Sequence, residues 1–333
     1  MFSKENRIKG VLFASITAFM WGFLAIALKI ASGIMDPATI VWFRFVVAFT
    51  VLFIYYAIKN PSALKILYSP PIFLVIASIG LSINYLAFLY GLELTTPSTA
   101  QVIIQIGPIF LGFVGLIFFK EKISLRQGIG FMIAGVGLFI FYRDSLAKIT
   151  GEEALFNMGI LWVVVAAMAW VIYAAFQKIL VKTYPAQQLN LFIFMLPIFL
   201  YLPFIHPAQF LNLTPANWLL LMYLGLNTLI AYGSLALAFK YIEANKISII
   251  VTMNPIITFI IMGLLAYFEV SWIEPEILTA KGIIAALLVI GGAIMAVAFA
   301  KPKKKKEISE LIPVPKSEDK NNSRTKINNQ ENS

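Results

Sequence analysis

Ten apolar stretches separated by short polar links run along this chain, at about 10–30, 37–58, 72–92, 98–119, 127–141, 158–180, 189–204, 218–239, 247–268 and 278–300. A helix needs about 20 apolar residues to cross a bilayer. Most of these stretches meet that length, while 127–141 and 189–204 are short for it. The links are brief and rich in turn residues: Asp36-Pro37, Asn60-Pro61, Glu93 to Pro97, and Lys120-Glu121-Lys122. Arg143 to Asn157 is the longest internal link. The pattern predicts an all-α polytopic membrane protein with ten spans. The first stretch exceeds the usual 7–15-residue core of a signal peptide and lacks an A-x-A-like cleavage site, so it reads as an uncleaved span.

The pattern repeats. Gly10, Trp21 and Lys29 match Gly159, Trp170 and Lys178 at a separation of 149 (159−10, 170−21, 178−29). Gln101, Gln105 and Pro108 match Ser248, Thr252 and Pro255 at 147 (248−101, 252−105, 255−108), and Tyr85 matches Tyr232 at the same separation. A duplicated apolar unit is the mark of a transporter built from two structural repeats. Five spans is an odd number, so the second unit must cross in the opposite sense.

Lysines and arginines set the orientation. With the N-terminus in the cytoplasm, the cytoplasmic links carry Lys4, Arg7, Lys9, Lys59, Lys65, Lys120, Lys122, Arg126, Lys178, Lys182, Lys240 and Lys246. The opposite side carries Lys29, Arg143, Lys148 and Lys281. The positive-inside rule then places both termini in the cytoplasm.

Composition agrees. The chain is 60% hydrophobic and 13% charged, against about 25% charged in a soluble domain. The net charge of +10 does not imply nucleic acid, because much of it lies in the tail that begins Lys301-Pro302-Lys303-Lys304-Lys305-Lys306. A basic run after a last span is an anchor beside anionic headgroups. From Lys303 onward the composition predicts disorder. There is no cysteine and a single histidine, His206, so no disulfide framework or metal cluster is expected. No phosphate loop, HExxH motif or paired carboxylate occurs within a span, and neither a cofactor nor an enzyme activity is expected. The competing class is a polytopic enzyme acting on a lipid-linked substrate, which requires a catalytic cluster at one interface.

The polar residues within spans are the candidates for binding a small molecule. Gln101, Gln105 and Pro108 fall at i, i+4 and i+7, on one helix face, as do Ser248, Thr252 and Pro255. Gly107-Pro108 and Asn254-Pro255 loosen their helices, because proline removes a hydrogen bond and frees a carbonyl. These polar faces read either as a cavity wall with flexible gating points or as interhelical glue. Trp21 lies roughly 16 Å into its span, and Trp170 at the matching depth. A buried indole needs a partner or a cavity. Tyr173 and Gln177 extend the Trp170 face. Arg44 lies roughly 10 Å in, where a charge faces a cavity or a partner. It reads as a clamp for a substrate carboxylate or as a structural group pairing with helix-end carbonyls or Asp36. Asn84, Tyr85, Asn227, Thr228 and Tyr232 add polar groups at comparable depth. Glu121 and Glu269, just past spans four and nine, read as helix-end residues.

Two five-span units, a tryptophan in the first span of each, Arg44 in span two, and a proline followed some thirteen residues later by glutamate before a Gly-rich closing span resemble the EamA-domain transporters of the drug/metabolite transporter superfamily. The likeness covers about residues 10–300. It implies repeats at 10–142 and 158–300, joined by 143–157 and flanked by a cytoplasmic N-terminus (1–9) and the tail (301–333). It also implies an inner-membrane carrier with a central cavity, and export of amino acids or other small organic solutes. Arg44 has no basic match in the second half, where Phe192 or Ile193 falls, and that lowers the expectation of a polyanionic substrate.

Overall fold

The computed structural model describes residues 4–119, 125–146, 152–242, 247, 250–273 and 280–298. The tail, Glu121 and Ser248 lie outside them. Eleven α-helices are described: α1 (Lys4–Ser32), α2 (Pro37–Lys59), α3 (Ile72–Glu93), α4 (Pro97–Ile103), α5 (Ile106–Phe119), α6 (Leu125–Leu146), α7 (Glu152–Leu180), α8 (Ala186–Tyr201), α9 (Pro215–Tyr241), α10 (Asn254–Tyr267) and α11 (Ala280–Ala298). Six helical segments are long and apolar enough to cross a membrane, and four shorter apolar ones accompany them. The fold is all-α and polytopic. Span four is divided between α4 and α5.

Local sequence explains where several helices start. Asp36-Pro37, Thr96-Pro97 and Thr214-Pro215 each place an oxygen-bearing cap before a proline at the first helical position. The Asp36, Thr96 and Thr214 side chains accept from the backbone N–H of Thr39, Thr99 and Asn217, respectively. The cap satisfies one orphan donor, and proline has none to satisfy. At the other end of a helix, Glu269 follows α10 with φ 50°, a left-handed terminus held by its N–H to the Ala266 carbonyl at 3.2 Å.

The halves pack about a pseudo-twofold. α3 lies along α7, and their counterparts α9 and α1 lie along each other, while α2 pairs with α8 and α6 with α11. The close approaches repeat. A Cβ at Gly159 would lie 2.7 Å from Thr95 Cγ2, and one at Gly10 would lie 2.5 Å from Ile242 Cγ2. Those positions match across the halves (159−10 = 149, 242−95 = 147). In the last pair, Gly137 abuts Ala285 and Val289 of α11, and Gly292 abuts Gly130 and Ala134 of α6. These are again equivalent positions, now offset by 155 (292−137, 285−130, 289−134). Glycine lets such backbones touch.

The repeats are inverted. Lys29, near the end of α1, donates to the carbonyls of Leu92, Glu93 and Thr95 at 3.0, 2.9 and 2.6 Å. Gly159, near the start of α7, packs on Leu94 and Thr95. The first helix of one half therefore ends where the first helix of the other begins.

Candidate functional site

Two interrupted helices meet at the centre. Span four breaks at Ile104-Gln105, between α4 and α5, and span nine turns at Thr252-Met253 before α10. Tight bonds of the i→i−3 type mark both breaks: Gln105 N to Val102 O (3.2 Å), Gly107 N to Ile104 O (2.9 Å), Met253 N to Ile250 O (3.1 Å) and Ile256 N to Met253 O (3.2 Å). Each break precedes a proline, Pro108 or Pro255, which withdraws a donor from the preceding turn. The breaks are bridged by Gln105 Nε2, which donates to Asn254 Oδ1 at 3.0 Å.

Beside this bridge lies a cavity of about 80 Å³, room for several water-sized groups. Its wall combines Trp21, Leu24 and Leu28 of α1, Arg44 of α2, Asn84, Tyr85 and Phe88 of α3, Gln101, Ile104, Gln105 and Pro108 of span four, Trp170 of α7, Tyr232 of α9, and Val251 and Asn254 of span nine. Aromatic contacts run through it. Trp170 meets Trp21 with ring centroids 6.3 Å apart, Trp21 meets Tyr232 at 5.3 Å, and Tyr232 meets Tyr85 at 5.4 Å. The Arg44 guanidinium caps the series, 4.3 Å from the Tyr85 ring centroid.

Arg44 is 2% exposed, and its Nε donates to Thr228 Oγ1 at 3.2 Å. Asp36 is occupied elsewhere, capping α2 and facing His206 Nδ1 at 3.2 Å. Among the described residues Arg44 forms no ion pair, and no Asp or Glu lines the cavity. A buried guanidinium held by one hydroxyl and one aromatic face keeps most of its hydrogen-bonding capacity.

The glutamines complement it. Gln101 Nε2 donates to the Trp21 carbonyl at 3.0 Å, and Gln105 Nε2 to the Gln101 carbonyl at 3.1 Å. A carbonyl only accepts, so both amides have a fixed orientation. Their Oε1 atoms are buried and accept no hydrogen bond, and the buried Trp170 Nε1 donates none. A buried polar atom without a partner is costly, and a polar ligand or water resolves it. The cavity thus offers a cation, an N–H donor and two carbonyl acceptors within apolar walls.

Among the residues singled out by sequence, Trp21, Arg44, Asn84, Tyr85, Gln101, Gln105, Pro108, Trp170, Tyr232 and Asn254 share this cavity. Gly107 lies behind Trp170, its Cβ position 3.3 Å from the indole. Tyr173 is fully buried and contacts Tyr232 at 5.6 Å between centroids. Asn227 ties α9 to α1 through the Met20 carbonyl at 2.9 Å. Thr252 and Pro255 are buried beside the cavity rather than in its wall. The sequence reading did not single out Leu24, Leu28, Phe88, Ile104 and Val251. Leu24 and Leu28 continue the Trp21 face at i+3 and i+7, and Phe88 continues the Tyr85 face at i+3, which is the signal that points to them.

The model of the EamA-like transporter family matches twice, over residues 8–143 and 157–298. The chain belongs to the EamA-like transporter family. It is 33% identical over 295 residues to an uncharacterized transporter of Haemophilus influenzae, covering 88% of this chain and 96% of that one. It is 31% identical over 293 residues to an uncharacterized inner membrane transporter of Escherichia coli K12, covering 87% and 91%. A solved crystal structure superimposes with a TM-score of 0.62 at 18% identity, covering 89% of this chain and 99% of that one. That likeness concerns the fold. The two family matches coincide with the two inverted halves, and this EamA-like protein is a multi-pass membrane transporter.

Proposed function

We propose that the central cavity is the substrate site of a secondary transporter that exports a small neutral or zwitterionic metabolite, such as an amino acid, across the inner membrane by alternating access. The observation that carries this reading is the Arg44 guanidinium, without an ion pair among the described residues, in one cavity with the free carbonyl oxygens of Gln101 and Gln105. A carboxylate suits the guanidinium, and an ammonium suits amide carbonyls. With no carboxylate in the wall, the site carries net positive charge. That disfavours a purely cationic solute, while one arginine is too little for a polyphosphate. The breaks at Ile104-Gln105 and Thr252-Met253, just before Gly107-Pro108 and Asn254-Pro255, supply the gating points, since a broken helix changes angle without losing further internal hydrogen bonds. Both termini are cytoplasmic in this reading, which the lysine distribution supports.

Counterflow into proteoliposomes tests it. Vesicles preloaded with a mixture of unlabelled amino acids should accumulate at least one labelled neutral amino acid, and not its decarboxylated amine. Accumulation of the amine alone, or of neither, contradicts the proposal.

A further inference from the structure

A second depression lies away from the central cavity, between α2 and α9 and reaching the start of α8. It has a volume of about 420 Å³ and is lined by Val51, Leu52 and Tyr55 of α2, by Leu229, Ile230 and Gly233 of α9, and by Gln187 of α8. Val51, Tyr55 and Ile230 are exposed, and they belong to membrane-spanning helices. This side of the protein therefore faces lipid.

Internal symmetry shows that the depression is written into the sequence. With the offset of 149 that relates Phe45 to Phe194, whose ring centroids lie 6.3 Å apart, Leu52 is equivalent to Tyr201 (201−52 = 149), and Leu229 to Ser82 (229−82 = 147). In the other half, between α3 and α8, the Tyr201 ring fills the seam and its hydroxyl donates to the Ser82 carbonyl. At the α2–α9 seam a leucine replaces that tyrosine, and Leu52 and Leu229 line the groove. One seam is plugged by a side chain, and its counterpart is left open.

The ends of the walls carry charge. Lys59 follows Val51 and Tyr55 at i+8 and i+4, so it shares their face of α2. Lys240 follows Gly233 and Leu237 at i+7 and i+3, on the groove face of α9. Both lysines end their helices, and the start of α8 ties the two helices together towards that end: Gln188 donates to the Ala63 carbonyl just past α2, and Gln187 donates to the Gly233 carbonyl of α9. An apolar slot between two spans, open to the bilayer and flanked at one end by two ammonium groups, has the chemistry of an anionic phospholipid: acyl chain within, phosphate between the lysines.

We propose that the α2–α9 groove is a binding site for one anionic phospholipid, seated with its acyl chain against Leu52, Tyr55 and Ile230 and its headgroup between Lys59 and Lys240. The site is separate from the central cavity and does not depend on what that cavity carries.

Native mass spectrometry of the full-length detergent-solubilised protein tests this with phosphatidylglycerol, phosphatidylcholine and glycerol phosphate as probes. The wild type should retain one phosphatidylglycerol in preference to phosphatidylcholine, and glycerol phosphate should not displace it. A lysine near an anionic lipid surface contributes about 1 kcal/mol. Lys59→Gln or Lys240→Gln should thus weaken phosphatidylglycerol about fivefold each, and the double variant should erase the preference. Leu52→Tyr, which restores the plug seen in the other half, should abolish retention of both lipids. Val51→Trp fills the groove from its exposed rim and should do the same if Leu52→Tyr does not fold. Unchanged preference in the double lysine variant overturns the proposal. So does undiminished retention in the filled variant, or displacement by glycerol phosphate.

Discussion

Trp21 and Trp170, equivalent residues of the two inverted halves, touch each other edge to face, with ring centroids 6.3 Å apart and planes 77° apart. Their neighbours Tyr85 and Tyr232 are equivalent too, and they meet at 5.4 Å. Residues related by a twofold touch their own mates only near its axis, so the pseudo-twofold passes through the cavity. The framework there is symmetric, but the polar equipment is not. Arg44, Gln101 and Gln105 all come from the first half, and Asn254, at the position equivalent to Gly107 (254−107 = 147), comes from the second. Under the proposed function, a symmetric frame would let the cavity open to either side, and an asymmetric lining would give a substrate a preferred orientation.

Arg44 should be needed for transport more than for folding. Arg44→Ala removes a charge-assisted contact worth roughly 1.5–3 kcal/mol, so transport efficiency for a carboxylated substrate should fall about tenfold to 100-fold. Thr228 keeps its own bond to the Leu224 carbonyl at 3.1 Å, so the protein should still reach the membrane folded. Arg44→Lys keeps the charge but not the fork, and should fall between the two. Uptake kinetics alongside size-exclusion profiles check this. Loss of folded protein without change in the remaining activity would assign Arg44 a structural role.

The α6–α11 contact should be intolerant at one glycine and indifferent at its neighbour. A Cβ at Gly292 would collide with the backbone of Gly130 and Ala134, whereas one at Gly291 meets nothing within 4 Å. Gly292→Ala should lower thermal stability in detergent by about 1–3 kcal/mol. Gly291→Ala should leave it unchanged or raise it by up to about 1 kcal/mol. Equal melting temperatures for the two variants would contradict the packing described.

The prolines should matter for turnover more than for binding. Pro108→Ala and Pro255→Ala restore a backbone donor next to each break. Each should reduce the maximal transport rate several-fold while leaving half-saturation nearly unchanged. A rise in half-saturation at constant maximal rate would mean that these residues shape the site and do not move it.

The duplication was legible because rare residues mark it. Tryptophan, proline and tyrosine recur at fixed offsets, and the odd number of spans then forces inversion. The family resemblance rested on the same residues, and the double family match agrees with it. The contact of α6 with α11 was not legible. Its offset is 155 rather than 147 or 149, and glycine and alanine are too common in such helices to reveal it. Within the site, periodicity identified polar faces but not which faces meet. Gln105 and Thr252 are equivalent across the repeats, but the side chain that Gln105 bonds is Asn254, since equivalence in sequence does not say which residues touch. Apolar wall residues such as Ile104 and Val251 gave no signal. In a membrane protein the lipid-facing side is as apolar as the core, so hydrophobic periodicity does not separate the two.

Access to Gln105 from the two sides of the membrane tests the central claim most directly. The chain contains no cysteine, so Gln105→Cys introduces a single thiol into the cavity wall. In vesicles of known orientation, a small membrane-impermeant thiol reagent should label it from either side, at rates that substrate alters in opposite directions. Labelling from one side alone, with or without substrate, would contradict alternating access through this cavity, and no labelling from either side would make Gln105 a packing residue.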